Sequence, residues 1–352
     1  MQEIIDSLRR LNIGGIQRYK NLAVAPLIGD DSSLEYLTLS QALGQGFKIT
    51  ETRGGGNVPQ VYVQNKTGRN VLAIAGECLV GGKQNRTLNR NVYFAEDFEG
   101  VIDVYCIQRG RWGPSPIQTP QPTPTEAPCP EPVPVQGEPV PVGYFSSEGK
   151  VVSRHLASPK LSKSQEQTWD GVHHLMCESG AHSRTGDYTE IMKQKRQELE
   201  EFRKHFSLLE RQVGIVAASS SNGDRLYVAD VFDKSSVFKN YFSGLLESYI
   251  IDSGLGSERV VELSEQEAKG FVDSVDSCEP NPVKAVSLGR EIEMRGENLL
   301  GFALVFNDVP VYVNLITPKG KLKEKPRERA EDIAETLRRT NQPETRIRRE
   351  VF

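Results

Sequence analysis

The chain has 352 residues, a formal net charge of −4 and 37% hydrophobic residues. That length allows one large domain or two ordinary ones, and the near-neutral balance argues against a dedicated nucleic-acid or membrane-surface protein. The five cysteines are scattered without CxxC spacing, the N-terminus lacks the apolar core of a signal peptide, and no run of about 18 apolar residues occurs. Free thiols in a reducing compartment follow, so the expected location is cytoplasmic, with no membrane contact.

Ile4, Ile5, Leu8 and Leu11 fall at helical spacing until Gly14-Gly15, which predicts a short N-terminal helix. Leu22 to Ile28 is an apolar strand candidate, and Ser40 to Leu43 reads as one helical turn. Phe47 to Thr52 and Val58 to Gln64 alternate, with Gly54-Gly55-Gly56 between them. Val71 to Ala75, Thr87 to Phe94 and Val101 to Gln108 follow at nearly regular spacing. Short strands separated by turn residues predict an antiparallel sandwich or barrel-like lobe over residues 1–113.

Residues 114–143 repeat Pro every two or three positions, which predicts an extended linker or an insertion. The pattern then becomes mixed. Trp169, Val172 and Met176 lie at helical spacing, and Asp187 to Gln212 reads as one long charged helix with a stripe of Leu199, Phe202, Phe206 and Leu209. Val213 to Ala218 and Arg225 to Phe232 read as a hairpin across Ser221-Asn222-Gly223-Asp224. Ser235 can cap a helix carrying Val237, Phe238, Tyr241, Leu245, Tyr249 and Ile250. Ser264 and Glu267 have capping-box spacing. Strands at Glu291 to Met294, Gly301 to Phe306 and Val311 to Ile316 complete an α+β lobe over residues 144–318. Residues 319–352 form a charged tail with one helix expected at Pro326 to Arg339. The expected fold class is therefore α+β, an antiparallel β-sandwich or barrel-like N-terminal lobe packed with an α+β C-terminal lobe across a Pro-rich linker.

Ala75 to Arg86 stands out: a carboxylate, a glycine pair, two cations and two amides between two β segments. It reads as a functional loop on a rigid scaffold. Three pieces carry a resemblance. They are Gly76-Glu77-Cys78-Leu79-Val80-Gly81-Gly82-Lys83-Gln84-Asn85-Arg86, then Val104-Tyr105-Cys106-Ile107-Gln108-Arg109-Gly110-Arg111-Trp112, then Trp169-Asp170-Gly171-Val172. Together, over roughly Asn21 to Thr317, the chain resembles the prokaryotic domain family named for its association with ADP-ribosylglycohydrolases and the rhodanese-phosphatase superfamily. The resemblance implies genomic company with NAD- and ADP-ribose-handling enzymes and no established reaction. Cys78 and Gln108 stand where the family look has acidic residues.

The chemistry of the stretch fits an anion. Lys83 and Arg86 can bind phosphate, Arg86 in bidentate fashion. Gly81 and Gly82 allow close backbone approach. Gln84 and Asn85 can read hydroxyls or a base edge, Arg111 and Trp112 can close the pocket with the indole stacked on a base, and Trp169 can join from across the linker. Glu77, raised in pKa if buried, is the candidate catalytic acid or base, and an N-glycosidic cleavage would need such a carboxylate. The expectation is a small-molecule, nucleotide-like ligand such as ADP-ribose or an NAD derivative, either bound or bound and processed, with no cofactor.

Plainer readings stand beside these. Glu77 can pair with Lys83 or Arg86 as a structural ion pair, with the glycines forming a hairpin turn. A P-loop is excluded, since Gln84 follows the Lys and the surroundings are β. His173, His174, Cys177 and His182 cluster, but His173 and His174 point apart on a helix, so no metal site is expected. Cys78 and Cys106 read as buried, inert thiols. The alternative function is a non-catalytic interaction or accessory protein, with the β lobe as a docking surface and the Pro-rich linker and charged tail recruiting protein partners.

Overall fold

A computed structural model describes residues 1–113, 144–157, 164–221, 224–255 and 260–318. The expected linker at 114–143 and the tail helix at Pro326 to Arg339 lie outside the described residues. Helix α1 (Gln2–Arg9) buries Ile4 and Leu8 on one face, as their spacing requires. Two short strands that sequence does not announce, β1 (Asn12–Ile13) and β2 (Gln17–Tyr19), lead into β3 (Leu22–Ile28), whose bounds match the apolar run. Next come β4 (Leu37–Thr38), the single turn α2 (Leu39–Ala42), β5 (Phe47–Glu51), β6 (Gln60–Asn65) and β7 (Val71–Ala73).

The stretch expected to be a loop is mostly a hairpin, β8 (Cys78–Gly81) and β9 (Arg86–Leu88), with only its tip irregular. The single strand expected over Thr87 to Phe94 is two, since β10 (Val92–Phe94) enters a different sheet from β9. Asn91 fixes the break, its Oδ1 accepting the Ala75 N–H at 2.8 Å. Strand β11 (Glu99–Cys106) follows.

Then come β12 (Phe145–Ser146), α3 (Arg154–Ala157) and α4 (Gln165–Ser179), the last capped by Ser164 and ended by Gly180. The long helix expected over Asp187 to Gln212 is interrupted at Lys195 and stops early, giving α5 (Thr189–Gln194) and α6 (Arg196–Arg203). Leu199, Phe202 and Phe206 are buried as the stripe requires, but Phe206 packs from irregular chain. Periodicity here reports burial beyond the point where the helix ends. The hairpin β13 (Gln212–Ser221) and β14 (Asp224–Phe232) precedes α7 (Ser235–Asp252). Ser235 does not cap α7. Asp31, distant in sequence, accepts the Ser235 N–H at 2.8 Å instead. Helix α8 (Glu265–Asp273) has the expected capping box, and β15 (Glu279–Val283), β16 (Arg290–Arg295), β17 (Leu300–Phe306) and β18 (Val309–Ile316) close the series.

The fold is α+β with almost entirely antiparallel pairing; β4 with β7 is the parallel pair among the described strands. A nine-stranded sheet runs β1-β3-β13-β14-β18-β17-β16-β15, with β2 beside β3. The strand expected in the N-terminal lobe, β3, thus lies inside the sheet of the C-terminal segments, and Met1–Thr317 form one compact unit. Six strands run β12-β8-β9-β11-β6-β5, and a bridge between Thr50 and Tyr144 brings the two ends together into a nearly closed barrel. Among the described residues no helix is long and apolar enough to cross a membrane.

Period-two alternation sorts the large sheet's faces. Ile215, Ala217, Val228 and Phe232 face the cluster that includes Phe238, Tyr241 and Leu245 of α7. Val216, Ala218, Ala229 and Val231 face the other cluster, with Ile4 of α1 and Val272 of α8. Asp230 and Asn314 are register partners on the α7 side, so the same alternation forces a carboxylate and an amide into the core. Arg154 from α3 answers them. Its Nη2 donates to Asp230 Oδ1 at 3.0 Å and to the Tyr312 hydroxyl at 2.5 Å, and its Nη1 donates to the Ala75 carbonyl at 2.8 Å. Tyr249, Tyr312 and Asn314 also donate to Asp230. Burial is the largest single influence and lowers the Arg154 pKa, but Asp230, Tyr312, Tyr249 and Asp252 together outweigh it and the net direction is upward.

Removing one member of a buried, hydrogen-bonded ion pair costs about 3–5 kcal/mol. Arg154→Ala should lose stability on that scale in urea unfolding, while Arg203→Ala, a partly exposed pair with Glu247, should lose less than about 1 kcal/mol. Equal losses would show that the buried network is not what holds this face.

Candidate functional site

The tip of the β8–β9 hairpin needs glycine at Gly82. Its φ is +47°, and a Cβ there would lie 2.3 Å from Phe145 Cζ and 2.6 Å from Glu51 Oε1. The space serves Glu51. Its Oε1 accepts the Lys83 N–H at 2.7 Å. On the other side, Gly56 has φ +85°, and a Cβ there would come 2.8 Å from Glu51 Oε2. Two side-chain-free positions therefore hold a buried carboxylate against the turn. Glu51 is the acid the sequence reading missed. The signal was available: Phe47, Ile49 and Glu51 form the buried face of β5, so the alternation carries a charge inward.

Arg86 is fully buried. Its Nη1 donates to the Gln84 carbonyl at 3.2 Å and to Gln84 Oε1 at 2.9 Å. Its Nη2 faces Glu51 Oε2 at 3.6 Å, with both side chains 0% exposed. Neither Nε nor Nη2 of Arg86 has a hydrogen-bond partner, nor does Glu51 Oε2. Cys106 also bears on the guanidinium. Burial lowers the Arg86 pKa, while Glu51 and then Cys106 oppose that shift. The expected alternative of an ion pair between Glu77 and Lys83 or Arg86 is not what forms; Glu51 is the partner.

Trp112 is 50% exposed and lies over these cations. Lys83 Nζ is 5.1 Å and Arg86 Cζ 5.8 Å from its ring centroid, within reach of cation–π attraction. Lys83 Nζ also donates to the Gly55 carbonyl. Next to this group, Arg109 lies 5.0 Å from the ring of Trp169. Of the expected group Glu77, Lys83, Arg86 and Trp112, the last three therefore lie together.

Gln84, Asn85 and Arg111 are spent on the turn itself. The Gln84 amide donates weakly to the Arg109 carbonyl, at 3.4 Å. Asn85 donates to Asp187 at 3.0 Å and accepts from Gly81 N–H at 3.1 Å. Arg111 donates to the carbonyls of Gly81, Gly82 and Gly113 and to Gln108 Oε1. Sequence assigned these three side chains to the ligand, but a tight turn with buried carbonyls needs the same donors.

Glu77 is not in this group. It is 0% exposed. Its Oε2 accepts the Ile74 N–H at 2.8 Å and the Tyr241 hydroxyl at 3.1 Å, while its Oε1 has no hydrogen-bond partner. Burial raises its pKa to about 8, against the opposing pulls of Ile74 N–H, Tyr241 and Arg154. At neutral pH it is mostly protonated. The anticipated upward shift is present, but in the core beside α7.

Burial pushes the thiols of Cys78 and Cys106 up, as inert core cysteines require. Cys177 Sγ lies 3.9 Å from His173 Nδ1, and His174 turns away to Glu178 at 3.1 Å. Among the described residues no three His, Cys, Asp or Glu side chains converge for a metal. A groove of about 520 Å³ lies between α6 and α7, and a cleft of about 230 Å³ beside Arg90 and Glu291; none of the expected site residues lines either.

The model of a family described as the ARG and Rhodanese-Phosphatase-superfamily-associated Protein domain matches residues 10–316. No curated protein matches the chain, and no solved structure does.

Two outcomes follow from the packing. Gly82→Ala combines a positive φ with a backbone that cannot retreat from Phe145. It should cost at least the about 1–3 kcal/mol of backbone strain, read as a lower urea midpoint, whereas Gly113→Ala, with open space around it, should be near neutral. For Glu77, the unfolded chain releases its proton near the ordinary 4.5 and the fold keeps it to about 8. Stability therefore falls as pH rises through that window and stays lower above it. Glu77→Gln should flatten this part of the pH–stability curve and gain relative to wild type on the alkaline side. A profile parallel to wild type would contradict the assigned protonation.

Proposed function

The chain belongs to the ARG and Rhodanese-Phosphatase-superfamily-associated Protein domain family, and from that membership we propose that it binds a nucleotide-like anionic ligand, such as ADP-ribose or an NAD derivative, at the tip of the β8–β9 hairpin. The observation that carries this reading is the Arg86 guanidinium. It is fully buried, yet two of its N–H-bearing nitrogens have no hydrogen-bond partner. Buried donors are nearly always paired, and an exception needs a reason. An anionic group entering beside Trp112 supplies the acceptors.

The roles divide by exposure. Arg86 anchors the anion. Lys83 adds a second cation on its free donor positions. Trp112, half exposed over both, offers a face on which a base can stack. Arg109 and Trp169 flank the site and extend the same chemistry. Gln84, Asn85 and Arg111 shape the turn. Glu77 is assigned to the core, holding Ile74 and Tyr241, so the reading is binding rather than catalysis through Glu77. The scattered thiols keep the cytoplasm as the proposed location. Docking through the Pro-rich segment and the tail concerns residues outside those described, and no contact among the described residues favours it over ligand binding.

Calorimetry with ADP-ribose and with NAD tests this. Wild type should bind at least one of them below millimolar concentration. Lys83→Ala and Trp112→Ala, both at accessible positions, should each weaken binding about tenfold or more, the equivalent of about 1.4 kcal/mol. Absent heats at millimolar ligand, or affinities unchanged in both variants, would overturn the reading.

A further inference from the structure

We infer that the ligand of this site carries a hydroxyl group next to its anionic group, and that the Glu51–Arg86 pair receives that hydroxyl. The inference rests on the binding reading above and deepens it.

Glu51 Oε2 and Arg86 Nη2 face each other at 3.6 Å. Direct N–H···O bonds lie at about 2.7–3.2 Å, so the two charges attract without bonding. Each atom is buried and without a hydrogen-bond partner. One is only an acceptor and the other only a donor. A group that meets both must donate and accept at once, and a hydroxyl does so. A bare phosphate or carboxylate accepts only. It would satisfy Arg86 but set a like charge against Glu51, a penalty that grows in a buried setting.

The surroundings fit this assignment. Glu51 is held from its other oxygen by the Lys83 N–H, so Oε2 remains available. Gly56 and Gly82 give the carboxylate its space. Arg86 Nε, likewise without a partner, is left for the anionic group, and Lys83 and Trp112 lie on the open side, where the rest of that group's charge and a ring would sit. Gln84 and Asn85, the amides that sequence pointed to as hydroxyl readers, are committed to Arg86, Arg109, Asp187 and Gly81. Hydroxyl recognition therefore falls to Glu51. The ligand class is a phosphorylated polyol with a stackable ring, rather than any phosphate or any nucleobase.

The test changes the ligand first, so that it does not depend on a variant folding. Adenosine monophosphate and its dideoxy analogue share base and phosphate and differ in the sugar hydroxyls. The intact compound should bind wild type about tenfold or more tightly than the analogue, the scale at which a buried polar site rejects a ligand lacking its partner group. Glu51→Gln keeps the size of the side chain and, provided its urea midpoint stays near wild type, should bring the intact compound down to the affinity of the analogue while leaving the analogue unchanged. Equal wild-type affinities would overturn the inference and leave the binding reading intact if both still depend on Lys83 and Trp112. An equal loss for both compounds in Glu51→Gln would also overturn it. If neither compound binds at millimolar concentration the inference falls, while the binding reading stands or falls with ADP-ribose and NAD.

Discussion

A guanidinium keeps its charge inside a protein, so every buried arginine obliges the chain to surround it with acceptors. Among the described residues two arginines are buried to 2% exposure or less, Arg86 and Arg154. They meet the obligation differently. Arg154 has a carboxylate at 3.0 Å, a tyrosine oxygen and a backbone carbonyl, and only its Nε lacks a partner. Arg86 has the Gln84 oxygens on one nitrogen, a carboxylate at 3.6 Å and two nitrogens unbonded. The first arrangement is that of a structural strut. The second is that of a strut with capacity left over, set behind a half-exposed indole.

The fold explains why the two sit where they do. Alternation along β14 and β18 places Asp230 and Asn314 on the α7 face of the large sheet, and Arg154 is the cation that makes that face stable. Through the Ala75 carbonyl the same arginine reaches the segment just before β8. The hairpin that carries Arg86 is thus anchored at its base. At its tip, Gly82 and Gly56 bring Glu51 of β5 against Arg86 of β9, two strands of one barrel-like sheet. A rigid base with an under-satisfied tip is a reasonable geometry for recognition, since the groups that meet a ligand are held before it arrives.

Much of this was readable in the sequence. The alternating or apolar runs gave β3, β5 and the β13–β14 hairpin, and the Gly-Gly-Lys-Gln-Asn-Arg run located the turn. What escaped was tertiary in origin. Strands of two or three residues, such as β1 and β4, are too short for any period to show. The helix expected through Gln212 ends at Arg203, because an apolar stripe records which side chains are covered and not which backbone covers them. Glu77 looked like a loop acid because it follows an apolar strand and precedes glycines. Its burial beside Tyr241 depends on α7, over 160 residues away. Glu51 passed unnoticed because an ion pair between β5 and β9 leaves no local pattern, apart from a charge standing on the inward face of a strand.

The turn's amides and Arg111 illustrate a general confusion between ligand-binding and turn-forming residues. Both tasks call for donors aimed at oxygen, and only geometry separates them. On the proposed reading, the separation leaves Arg86, Lys83 and Trp112 on the ligand side and moves Glu51 there. The most direct measurement is the nitrogen-15 resonance of the Arg86 side-chain Nε–H, followed while adenosine monophosphate is added. The account predicts a saturable downfield proton shift of that resonance as the nitrogen gains an acceptor, with the Arg154 Nε–H unmoved. An Arg86 resonance that stays in place while the ligand saturates the protein would contradict it.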